Sequence, residues 1–242
     1  MYQDNTVSKD FRDIMTDQST DYIVILHGIL RSSHHMRKLT AFLSEQGYEV
    51  IAIDYPSSQH CIEELIDIIH QKIEAQVIID KPIHFVGYSL GGLLLRALLH
   101  KYQYKRLGRV VQLAPPNQGS EIADLLKGNW LYQKIYGPAG QQLITNQKEF
   151  EHLFGKVNYS VGVISGDLNI DPFCAFFIPG SHDGKVSVER SKLSDMTDHI
   201  VVRASHTFFP HSKSVQQQTL YFIQHNCFNH SSPSERPSCE KT

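Results

Sequence analysis

Residues 83–99 read IHFVGYSLGGLLLRALL: an apolar run, a turn that holds Ser89 between Gly87 and Gly91, and then a leucine-rich helix. This junction constrains the chain more than any other segment. A strand that turns directly into a helix returns by a crossover, so the following strand lies parallel to the first. Glycines suit the turn because two backbone segments approach there and a Cβ would clash. The serine between them projects from the sheet edge instead of packing inside it.

The alternation continues on both sides. Asp21–His27 (DYIVILH) is a nearly continuous apolar run, which predicts a strand buried on both faces. Ser32 or Ser33 is a helix cap, Met36, Leu39, Phe42 and Leu43 follow at helical spacing, and Gly47 stops the helix. Glu49–Ile53 is a second strand, and Ile62, Leu65, Ile66, Ile69 and Ile73 mark one helix face. Strands are then predicted at Ile83–Val86, Val110–Leu113, Val157–Ile164 and His199–Arg203, with helices from Leu90 to about Tyr104 and from Val215 to about Ile223. The implied class is α/β, a mostly parallel sheet with helices on both faces and its site along one edge of strand ends.

The 242 residues suit one domain. Residues 1–20 read as an N-terminal arm, 21–225 as the domain and 226–242, polar with two prolines, as a flexible tail. Regularity weakens over 117–156, which holds a short helix from Ser120 to about Lys127, the lone Trp130 and a GPAG turn; this reads as a lid-like insertion.

Charge and cysteine usage narrow the function. Lys plus Arg is 23 against 25 for Asp plus Glu, a formal net charge of -2, so no nucleic-acid partner is expected. Cys61, Cys174, Cys227 and Cys239 lack metal-ligand spacing, and neither metal nor cofactor is expected. The longest apolar run is broken by Ser89, glycines and Arg96, so no integral membrane segment is predicted. Without a signal pattern the default location is cytoplasmic, and a route of export without a cleaved signal would leave no mark. The sequence sets no oligomeric state.

Gly87-Tyr88-Ser89-Leu90-Gly91 is a G-x-S-x-G turn in the strand–turn–helix setting that exposes a nucleophile. A serine hydroxyl needs a base to take its proton. His206 is the best-placed histidine, in the loop after the last strand. His211 is the runner-up, His199 begins that strand at its wrong end, and His100 lies on a helix. An acid must orient the imidazole. Asp183, beside Gly184 and 23 residues before His206, is preferred; Asp167, directly after a strand, is the alternative. Two backbone N–H groups should hold the oxyanion, those of Leu90 and of Ile29 in His27-Gly28-Ile29-Leu30. Leu30, Tyr88, Trp130, Phe208 and Phe209 are candidates for an acyl pocket.

HGIL, GYSLGG, PPNQGS, DGKVSVE and SHTFF, in that order, resemble the lipase and esterase branch of the α/β-hydrolases, and look closest to bacterial members of the GPI-inositol-deacylase-related group. The resemblance covers roughly residues 21–225. It implies a small-molecule or lipid ester as substrate, an acid in an Asp-Gly pair ahead of the histidine, which maps onto Asp183, and an oxyanion donor after His-Gly, which maps onto Ile29. It also implies that Pro116-Asn117-Gln118-Gly119-Ser120 shapes the pocket wall. The chain departs from the group in lacking a calcium-site pattern near His206 and a large insertion, which argues against long-chain lipid.

Overall fold

The computed structural model describes residues 20–77, 81–119, 128–142, 152–170 and 177–231. Among them, β1 (Tyr22–Leu26), β2 (Glu49–Ile53), β3 (Ile83–Tyr88), β4 (Leu107–Leu113), β5 (Val161–Gly166) and β6 (Asp198–Val202) form one parallel sheet in the order β2-β1-β3-β4-β5-β6. The helices are α1 (Arg37–Glu45), α2 (Ile62–Glu74), α3 (Leu90–Lys101), α4 (Trp130–Gln141), α5 (Val188–Ser191) and α6 (Lys213–His225). Short 3₁₀ turns occupy Ser33–Met36 and His206–His211.

The sheet divides the core in two. Strand β1 sends Val24 and Leu26 to the side packed by α2 and α3, and Ile23 and Ile25 to the side packed by α1 and α6. Both faces are covered, so all five of its residues are buried and its sequence is uniformly apolar. Register then places the site. Leu26 pairs with Gly87, so the loop leaving β1 and the turn leaving β3 emerge side by side at the carboxyl edge.

Several boundaries differ from the sequence reading, each for a local reason. Helix α3 ends at Lys101 because Tyr102 is extended; its ring stacks on His70 at 3.7 Å and its hydroxyl donates to Asp67. Strand β4 starts three residues before Val110, through Gly108 and Arg109, which carry no apolar signal. Strand β5 begins at Val161, where pairing with β4 starts, instead of Val157. Neither Ser32 nor Ser33 caps a helix with its side chain; the Ser33 amide and hydroxyl both donate to Asp54, whose carboxylate terminates the turn.

Residues 226–231, read from the sequence as part of the tail, make defined contacts. Asn226 adopts the left-handed conformation that closes α6, Phe228 packs on Phe222, and the His230 ring donates to Asp198 at 2.9 Å. Residues 232–242 lie outside the described residues, as do the arm at 1–19 and the helix expected from Ser120 to about Lys127. Of the insertion, α4 is described; its kink at Gly137 has φ 64°, and a Cβ there would sit on the Ser58 carbonyl. No helix among the described residues is long and apolar enough to cross a membrane.

Candidate active site

The turn after β3 holds Ser89 at φ 53°, ψ −120°, a conformation costly for a residue with a Cβ. Its amide donates to the Leu113 carbonyl at 2.8 Å, which locks the turn to β4. The glycines explain themselves by distance. A Cβ at Gly91 would lie 2.5 Å from the Leu26 carbonyl oxygen, and one at Gly87 2.5 Å from that of Gly91. Helix α3 therefore starts directly against the end of β1.

Three distant side chains meet above this turn. Ser89 Oγ lies 3.1 Å from His206 Nε2, and His206 Nδ1 lies 2.7 Å from Asp183 Oδ2. One tautomer satisfies both contacts: Nδ1–H donates to the carboxylate and Nε2 accepts from the hydroxyl. Asp183 is buried, and its other oxygen accepts the amides of Lys185 and Val186 at 2.9 and 2.8 Å. A buried carboxylate needs such donors, and here they also fix its direction. The main chain repeats the link, since the His206 amide donates to the Asp183 carbonyl at 2.9 Å. Tyr88 adds a brace by donating its hydroxyl to the His206 carbonyl at 2.7 Å. Burial pushes the Tyr88 phenol pKa well up, so it remains a donor.

Asp167 is exposed and joins none of this. Its neighbour Gly166 is where the Asp183 side chain packs; a Cβ there would lie 2.8 Å from Asp183 Cβ. His211 turns its Nε2 to the His35 carbonyl at 3.0 Å, and His199 bonds Ser165.

The loop after β1 faces the serine. The Leu30 amide donates to Ser57 Oγ at 3.0 Å, with Leu30 itself at φ 56°. The amides of Ile29 and Leu90 have no acceptor among the described residues. His27 supports the loop from beneath: it stacks on Tyr55 with ring centroids 4.0 Å apart, its Nδ1–H donates to the Gly28 carbonyl, and Nε2 accepts the Tyr55 amide. The Tyr55 hydroxyl donates to the His27 carbonyl. Burial lowers the His27 pKa and keeps that ring neutral.

A cavity of about 180 Å³ opens over Ser89 and His206. Leu30 and Tyr88 line it, as the sequence suggested, together with Ile29, Pro116, Tyr136 and Val186. Trp130 and Phe208 do not line it; they are 70 % and 56 % exposed. Trp130 opens α4 and Phe208 lies in the 3₁₀ turn at 206–211, where each ring is largely exposed. Phe209 is fully buried in the core below. Tyr136, Val186 and Ser57 were missed because they sit in segments without periodicity, and only the fold brings them to the edge.

A family model for the alpha/beta hydrolase fold matches residues 21–137. The chain has the α/β-hydrolase fold. Among curated proteins it is similar to the lysosomal thioesterase PPT2 of Mus musculus, 29 % identical over 136 residues, covering 50 % of this chain and 44 % of the relative. The human protein of that name is 28 % identical over the same shares. The chain thus spans under half the length of these relatives. Among solved structures, the mature lipase BlEst2 of Bacillus licheniformis superposes with TM-score 0.69 at 20 % identity, over 87 % of this chain and 93 % of that one. The metagenomic carboxyl esterase MGS0156 gives 0.67 at 14 % identity, over 86 % and 75 %.

Proposed function

We propose that the chain is a serine hydrolase that cleaves carboxylic esters through an acyl-enzyme on Ser89. The observation that carries this is the unbroken chain of hydrogen bonds from Ser89 through His206 to Asp183, at 3.1 and 2.7 Å, with the hydroxyl at a cavity. Ser89 Oγ attacks the ester carbonyl and its proton passes to His206 Nε2. Asp183 stabilises the imidazolium. The amides of Ile29 and Leu90, without an acceptor among the described residues, receive the oxyanion, each contributing about 3–4 kcal/mol of activation free energy. The intermediate collapses, His206 gives its proton to the leaving oxygen, and the acyl group remains on Ser89. Water then attacks with His206 again as base, returning the acid and the free serine.

The same machinery serves a thioester, with sulfur as the leaving atom, and the likeness to a protein named a thioesterase favours testing it. The small cavity favours short acyl groups over long ones. Incubation with a fluorophosphonate should add one phosphonyl group at Ser89, and the Ser89→Ala protein should take up none. Hydrolysis of matched butyryl ester, thioester and amide then ranks the leaving groups. Absence of both labelling and turnover in the native chain would reduce the assignment to a binding scaffold.

A further inference from the structure

Beyond the oxyanion loop the wall of the cavity continues into an open groove of about 430 Å³, lined by Leu30, Arg31, Ser32, His34, His35, Arg37 and His211. Leu30 and Arg31 line both spaces, so the groove starts where the cavity over Ser89 ends. Among the described residues its lining holds two arginines and three histidines and no carboxylate. Arg37 is aimed by a neighbour: its Nη1 donates to His34 Nε2 at 2.5 Å, which leaves the Nδ1 of His34 as a further donor. The nearby carboxylate of Asp54 is occupied by the Ser33 amide and hydroxyl. Burial, followed by the Arg31 charge and the neighbouring imidazoles of His211, His206 and His27, holds His35 down at about 4.

The position of the groove indicates which part of a substrate reaches it. His211 closes the 3₁₀ turn that His206 opens, so one wall of the groove is continuous with the base. An atom that takes a proton from His206 must lie against that imidazole, at the start of the turn whose other end lines the groove.

We propose that this groove binds a phosphate group carried by the alcohol or thiol part of the substrate, with Arg31 and Arg37 as its principal contacts. Guanidinium groups bond phosphate oxygens in pairs, and the histidine and serine donors around them complete such a site. The inference rests on the serine-hydrolase reading for its catalytic meaning. Binding of the anion itself does not depend on that reading.

The test has two parts. Pyrophosphate binding to the Ser89→Ala protein is measured by calorimetry at low and high salt. It should be measurable at low salt, weaken as salt screens the charges, and fall by about tenfold or more in Arg31→Gln and in Arg37→Gln. Second, kcat/KM is compared for one acyl group on three carriers: N-acetylcysteamine, which bears no phosphate, coenzyme A, and a lysophospholipid. A phosphate-bearing carrier should be preferred by about tenfold or more, and the preference should shrink towards unity in both arginine variants. Which of the two phosphate carriers is preferred identifies the source of the phosphate. Active enzyme with equal rates on all three carriers, or a preference that survives both substitutions, overturns the proposal. So does failure of pyrophosphate to bind. Arginine-dependent pyrophosphate binding by a chain that hydrolyses nothing would support the anion site and sink the serine-hydrolase reading alone.

Discussion

Ser89 and Ser165 each hydrogen-bond an imidazole, Ser89 with His206 at 3.1 Å and Ser165 with His199 at 2.7 Å. The second pair is the shorter, yet its surroundings differ in every respect that matters for chemistry. Ser165 lies within β5, 1 % exposed, and also bonds the Ser191 hydroxyl. His199 has its pKa lowered by burial, and no carboxylate hydrogen-bonds its ring among the described residues. Ser89 instead stands on a left-handed turn past the end of β3, beside two amides that have no acceptor among the described residues, and its histidine is held by Asp183. A serine–histidine contact is thus a common way to satisfy buried polar groups. What singles out one pair is its place at the carboxyl edge and the third group behind the imidazole.

The largest effect expected from breaking this contrast is at the serines. Ser89→Ala should lower kcat by about four to six orders of magnitude and abolish fluorophosphonate labelling. Ser165→Ala should keep the labelling and lose about 1–2 kcal/mol of stability, because Ser191 and His199 each lose a partner. Next come the acids. Asp183→Asn should reduce kcat by about 10⁴-fold by spoiling the tautomer, as seen by steady-state assay. Asp167→Asn should stay near the native rate; the reverse pattern would mean that the acid has been misassigned.

A smaller change sharpens the role of the turn. Gly91→Ala should cost about 2–3 kcal/mol in urea unfolding, since the added methyl meets the Leu26 and His27 carbonyls and neither strand end can yield freely. Last is a pH effect. His27, His84 and His199 are all held below the ordinary histidine value of 6.5, chiefly by burial, and His35 at about 4. The unfolded chain therefore binds more protons, so stability should fall as pH drops below 6.5 towards those folded values. Urea midpoints at pH 7 and pH 5 measure the loss, and His199→Gln, which can still bond Ser165, should make it smaller. Carboxylates held low by hydrogen bonds, such as those of Asp54 and Asp67, act at lower pH and leave that comparison clean.

Much of the site was legible in the sequence, because its local demands leave local marks. Gly87, Ser89 and Gly91 declare a sharp strand–helix turn, and uniform burial of β1 leaves an uninterrupted apolar run. Placement relative to the last strand selected His206 over His199, since a loop after a strand reaches the carboxyl edge and a strand's first residue does not. Asp183 was separable from Asp167 only by preference, because both follow plausible turns. The fold brings Asp183 to the His206 imidazole, with Gly166 leaving room for its side chain, while Asp167 is exposed.

Sequence by itself determined the periodicities, hence the elements, their parallel alternation and the identity of the turn that presents Ser89. Periodicity records which face of an element is buried, and that is a property of neighbours along the chain. Only the tertiary structure decided which aromatic rings face the cavity, that Ser57 occupies the Leu30 amide while the Ile29 amide has no acceptor among the described residues, and that Arg31 and Arg37 line one groove with His211. Those depend on sheet register and on how loops from different strands settle against one another, and no spacing along the chain encodes such contacts.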